Sequence, residues 1–188
     1  MKSKLPLLAG ILIFALSGCK QGSQDNQNGN VKDDPKYTTS DASEIFFRNV
    51  RSIYYDKTSM EEARLDVYRI KERVEAEDEP VLNLSIVVNW RSDEAYVLTE
   101  PNAFLRQMDT IRVMWKDTSR NESGIYAFGQ GNKDAHFRFA TQLYRSIDAE
   151  HQLQLLMEDQ KVSFLDKRNT REPFRKTMVD YFRLVDLL

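Results

Sequence analysis

Apolar residues recur along this chain with changing spacing, and the changes mark out its elements. Residues 5–16 form an apolar run broken only by Pro6 and Gly10. Residues 20–40 then hold a single aliphatic side chain, Val31, among Gln, Asn, Asp, Gly, Ser and Lys. From residue 41 the pattern becomes that of a folded domain. Asp41 and Glu44 have capping-box spacing, and Phe46, Val50, Ile53 and Tyr54 recur as one face of a helix. The triplets Ile45-Phe46-Phe47 and Ile53-Tyr54-Tyr55 favour a strand instead; the helical spacing is the preferred description. The same conflict follows. Ser59 and Glu62 repeat the capping spacing, and Ala63, Val67, Ile70 and Val74 keep helical intervals. Leu65–Ile70 would otherwise serve as a strand paired with the segment before it, leaving a domain richer in β structure.

The middle of the chain reads more simply. Residues 81–90 (VLNLSIVVNW) and 95–99 (AYVLT) flank a polar break and predict a hairpin ending at Pro101-Asn102. Residues 111–115 (IRVMW) predict a strand partnered by 124–128 (GIYAF). Asp134 suits the cap of a helix with Phe137, Ala140, Tyr144 and Ile147 on one face and Leu143 at its flank. Residues 153–157 and 162–165 form a hairpin around Glu158–Lys161, and Pro173 fits a first helical turn before Phe174, Met178, Tyr181, Phe182 and Val185. Strands joined by such short connections favour antiparallel pairing. The expected fold is α+β, an antiparallel β-sheet packed with helices on one face. With no internal repeat and no second linker, residues 41–188 are expected to form a single domain.

The first forty residues change the picture from fold to address. Lys2 and Lys4 precede the apolar run, and small residues close it in Leu16-Ser17-Gly18-Cys19. As a helix the twelve residues 5–16 would reach about 18 Å, short of a hydrocarbon core of roughly 30 Å. The run therefore predicts a cleaved signal peptide over 1–18. Cys19 is the only cysteine, so it has no disulfide partner within the chain. The junction resembles that of bacterial lipoproteins. The resemblance covers residues 1 to about 20 and implies diacylglycerol on the Cys19 sulfur, often with a further acyl chain on its amino group. Lys20, where inner-membrane lipoproteins typically carry Asp, implies the outer membrane, with the periplasmic and surface faces both open. Two acyl chains suffice for stable anchoring. Residues 19–40 would then be a lipidated linker, too poor in apolar groups to offset the entropy of ordering.

Charge and candidate chemistry narrow the function classes. From Cys19 onward the chain holds 25 basic and 29 acidic residues, which argues against a dedicated nucleic-acid binder and leaves anchoring to the acyl chains. Glu75, Glu77, Asp78 and Glu79 lack the glycine and ligand spacing of a calcium loop and are expected to be a solvated helix end. Gly129-Gln130-Gly131-Asn132 lacks the register of a phosphate cradle and is expected to be a turn. His136 and His151 are too few for a zinc site, so no metal or cofactor is expected. No nucleophile elbow is present. Glu94, Glu100 and Glu122 lie near strand ends, where two acids of a glycosidase would meet only in the fold. Lys167, Arg168, Arg171, Arg175 and Lys176 form a local basic cluster that would suit an acidic partner or simply a solvated helix face. Trp90 and Trp115 suit interface anchors or sheet core.

Two functions fit. The preferred one is a non-enzymatic envelope lipoprotein, an interaction or accessory subunit tethered at the membrane beside a protein partner. The alternative is a lipid-anchored protein that binds or hydrolyses glycans or peptides through carboxylates, which requires an aromatic-lined pocket with two inward acids.

Overall fold

The computed structural model describes residues 36–188 except Trp90 and Asp159. The apolar run at 5–16, Cys19, the linker as far as residue 35 and Trp90 lie outside the described residues. Lys36–Ser40, expected to belong to the linker, already join the fold. The Tyr37 carbonyl accepts from Ala95 N at 2.8 Å, and Thr39 N donates to the Asp93 carbonyl at 2.8 Å, extending the edge of a sheet by one bridge.

The first helix, α1, spans Asp41–Phe46 and continues through a π turn (Phe47–Arg51) and a 3-10 turn (Ser52–Tyr54). Its cap is Ser40, one residue before the expected Asp41. The Ser40 and Ser43 side chains each accept from the other's backbone N–H, satisfying two orphan donors of the first turn. The helical reading of 45–54 is therefore correct in type.

The helical reading of 63–74 is not. That region is a strand, β2 (Leu65–Ile70), paired antiparallel with β1 (Tyr55–Met60) in register Tyr55↔Ile70. Ser59, expected to cap a helix, lies in β1 directly opposite Asp66. Helical spacing misled here because Asp66 is buried. It faces the same side as Tyr68, so a polar residue occupies an inward position of the strand and breaks the alternation.

Strands β3 (Leu82–Asn89) and β4 (Glu94–Pro101) complete the first sheet as the expected hairpin, in order β1-β2-β3-β4. The second sheet runs β6-β5-β7-β8, with β5 at Ile111–Asp117, β6 at Glu122–Phe128, β7 at Gln152–Leu156 and β8 at Lys161–Ser163. The α+β class is as expected, but two four-stranded antiparallel sheets replace one. The tight turns of three hairpins place Arg64, Asp93 and Asn121 at positive φ. Asp and Asn tolerate that conformation through local side-chain hydrogen bonds.

Helix α2 (Lys133–Asp148) joins β6 to β7 and touches both β4 and β6, and so both sheets. Its cap is Asn132, whose side chain accepts from Ala135 N. The expected cap, Asp134, instead accepts a short hydrogen bond from the Tyr37 hydroxyl. Helix α3 (Arg168–Leu184) begins five residues before Pro173, which sits inside the helix. Phe137, Leu143, Met178, Tyr181 and Phe182 from the two helices meet Leu84, Ile86, Val97, Val113 and Leu155 in one contiguous core.

Candidate functional site

Where the two sheets meet, the end of β4, the 3-10 turn at Leu105–Gln107, the start of β5 and the Gly129–Asn132 loop enclose an open cleft of about 600 Å³. Leu105, Ile111 and Phe128 give it an apolar floor, and Arg106, Asp109 and His136 supply polar groups. His136 sits one turn into α2 with its ring 4.8 Å from that of Phe128. Its Nδ1 accepts from Thr99 N at 3.0 Å and lies 2.8 Å from Thr99 Oγ1. A backbone N–H can only donate, so it claims the single Nδ1 lone pair and assigns the proton of the neutral ring to Nε2. Burial lowers the His136 pKa below the ordinary imidazole value, which favours that neutral form. The ring therefore has no vacant basic nitrogen with which to take the Thr99 hydroxyl proton. The neutral ring is thus placed to donate through Nε2 and not to act as a base toward Thr99.

The three acids singled out near strand ends do not converge. Glu94 and Glu100 stand at opposite ends of β4, six residues apart, so about 20 Å along an extended strand. Paired catalytic carboxylates require about 5–9.5 Å. Glu94 is 3.3 Å from Lys133. Glu100 accepts from Arg69 Nε at 2.9 Å and is 2.8 Å from its Nη2. Glu122 is exposed at the start of β6 in the other sheet.

Two fully buried carboxylates that sequence reading passed over serve the fold. Asp66 accepts from Ser59 Oγ at 2.6 Å and Tyr68 OH at 3.2 Å, and pairs with Lys57 at 2.6 Å. Burial, then the Asp66 charge, raises the Tyr68 hydroxyl to about 12. Asp180 accepts from Arg51 Nε at 2.8 Å, Arg51 Nη2 at 3.0 Å and Tyr55 OH at 2.8 Å.

His151, the second imidazole, is stacked 5.0 Å from half-buried Trp115. Its Nδ1 is 3.2 Å from Ser146 Oγ, which also contacts Tyr126 OH at 3.0 Å. Ser146 is wholly buried, so this Ser–His contact is a core network. Trp115 lies partly buried against the core and lies across Gly124, where a Cβ would come within 2.6 Å of the indole Nε1.

The charged clusters are largely consumed by pairing. Lys167 pairs with Glu79, Arg175 with Glu172 and Lys176 with Glu72. Arg171 donates to the carbonyls of Leu165 and His151. The acidic run at 75–79 belongs to the loop between β2 and β3 and not to a helix end, and Glu75 pairs with Arg73. No group of three metal-binding side chains occurs among the described residues.

One surface departs from expectation. Phe46, Val50, Ile53 and Tyr54, whose spacing predicts a core-facing stripe, are exposed, together with Ile45 and Met60. The segment docks by its other side. Phe47 is buried 5.1 Å from the Tyr68 ring, Arg51 reaches Asp180, and Ser43 Oγ donates to the Leu184 carbonyl at 2.7 Å.

The chain matches no protein-family model, no curated protein and no solved structure.

Proposed function

We propose that this chain is a bacterial envelope lipoprotein, acylated on Cys19 and held at the outer membrane, whose folded domain is a non-enzymatic interaction or accessory subunit for a protein partner. The observation that carries the reading is the Leu16-Ser17-Gly18-Cys19 junction closing a twelve-residue apolar run. The ion-paired, separated acids and the His136 ring closed by Thr99 support a binding role over a hydrolytic one. The cleft between the sheets is the place where a partner segment would dock.

Growth with an alkyne-tagged palmitate tests the anchor. Wild-type protein is expected to carry the label and fractionate with membranes, and Cys19→Ala is expected to lose both properties. An unlabelled wild type that fractionates like Cys19→Ala overturns the reading. A photo-crosslinking residue at Gln130, on the cleft rim, is expected to capture a discrete envelope protein that the same residue at Ser123 does not. Identical capture patterns at the two positions refute the assignment of the cleft.

A further inference from the structure

Eight large hydrophobic side chains are exposed among the described residues, and six of them lie within residues 45–60. That concentration needs an occupant, since contiguous exposed apolar surface of this kind marks a contact site. The stripe is not presented by a loose element. Ser43, Phe47 and Arg51 fix the opposite side of the segment to α3 and the first sheet, so Phe46, Val50, Ile53 and Tyr54 are held outward.

Chain connectivity says what meets them. Lys36 is the first described residue to join the fold: its carbonyl accepts from Tyr181 OH at 2.9 Å near the C-terminal end of α3, the same end at which Ser43 of α1 docks on the Leu184 carbonyl. Sixteen residues lie between Cys19 and Lys36, a length that as a flexible linker would have a mean reach of about 22 Å. The end of the domain that carries Lys36 and α1 is thus the part that an anchor at Cys19 would bring to lipid. The tether also makes the contact intramolecular in effect, so a weak apolar affinity is enough.

The residue types fit an interface. Aliphatic and phenyl groups would enter the acyl boundary, and Tyr54, with the Arg51 guanidinium 4.8 Å from its ring centre, carries a polar tip to headgroup level. The Arg48 side chain, half exposed beside Glu44, has a stem long enough to lie along the stripe with its charge in water. Asp41, Glu44 and Asp56 balance Arg48, Arg51 and Lys57, so the attraction is apolar and does not require anionic lipid.

We propose that the helical segment 41–54 lies on the membrane surface, inserting Phe46, Val50, Ile53 and Tyr54 into a zwitterionic lipid bilayer. The proposal rests on the Cys19 anchor proposed above.

Acylation of Cys19 would consume the only native thiol, so Ile53→Cys in the lipidated full-length protein would carry a nitroxide at one position. Ile125→Cys, at an exposed position of β6, is the control. In phosphatidylcholine vesicles the label at 53 is expected to collide several-fold more with oxygen, relative to a water-soluble nickel chelate, than the label at 125, with no change on adding salt. Equal collision ratios at the two positions, with Cys19 acylated by intact mass, overturn the docking and leave the anchor standing. A non-acylated Cys19 overturns the anchor and this proposal with it. Shielding of residue 53 from both reagents, with a doubled mass in detergent, assigns the stripe to a second copy and likewise overturns the proposal.

Discussion

Arg51→Met removes the pin that holds the first helical segment to α3. In the native protein Asp180 is 1% exposed, while the Arg51 side chain is 24% exposed. The carboxylate accepts two charge-assisted hydrogen bonds from the guanidinium and one from Tyr55 OH. Charge-assisted bonds contribute about 1.5–3 kcal/mol each. Breaking a buried pair by deleting one partner costs about 3–5 kcal/mol, because a desolvated charge is left behind. The two routes agree on a loss near 3–5 kcal/mol, or a Tm lower by about 10 °C for a domain of this size. Urea denaturation of single and double variants checks the cause. Asp180→Asn keeps an acceptor for Tyr55 but carries no charge, so Arg51→Met/Asp180→Asn is expected to be more stable than Arg51→Met alone. Hydrogen exchange over 41–54 is expected to rise most in the single variant. A loss below about 1 kcal/mol, as for an exposed pair, would refute the reasoning, as would a double variant weaker than the sum of the singles.

Other outcomes follow from single contacts. Gly124→Ala places a Cβ 2.6 Å from Trp115 Nε1; overpacking of this kind costs about 1–3 kcal/mol, and the displaced indole is expected to change its fluorescence. His136 has a folded-state pKa below its unfolded value of about 6.5. The unfolded chain binds the proton first, so stability is full above that value and falls as pH drops through the lowered pKa. His136→Gln is expected to flatten that slope in denaturation curves recorded as pH is lowered below about 6.5. Ser85 Oγ is buried with no hydrogen-bond partner among the described residues; Ser85→Ala is expected to leave stability unchanged or raise it by up to about 1 kcal/mol, and a loss above that in the same assay would refute the expectation.

Hairpins were the most legible part of the chain because their signals are local. The run at 81–90, its polar break and the run at 95–99 become β3 and β4 with the expected pairing. Which hairpins share a sheet was not legible, since β5 joins β7 across the whole of α2. Strand β2 escaped because its inward Asp66 is made tolerable only by Lys57, Ser59 and Tyr68, contacts that form after folding. The stripe at 46–54 was found correctly as a helix face and assigned to the wrong side. Its periodicity records apolar character, and polar anchors such as Arg51 carry the actual docking. Of the cleft, only His136 and the Gly129–Asn132 loop had been singled out. Thr99 and Asp109 carried no local signal, because they meet His136 or the cleft only through sheet packing.

Among the described residues the two sheets share no hydrogen-bond ladder; α2 is the strut against which both lean. Loss of one buried side chain on it, Leu143 for instance, would slacken both halves at once, whereas an injury confined to β8 should stay local. Cooperativity in this molecule is therefore lodged in a helix, although strands make up as much of the fold as helices do.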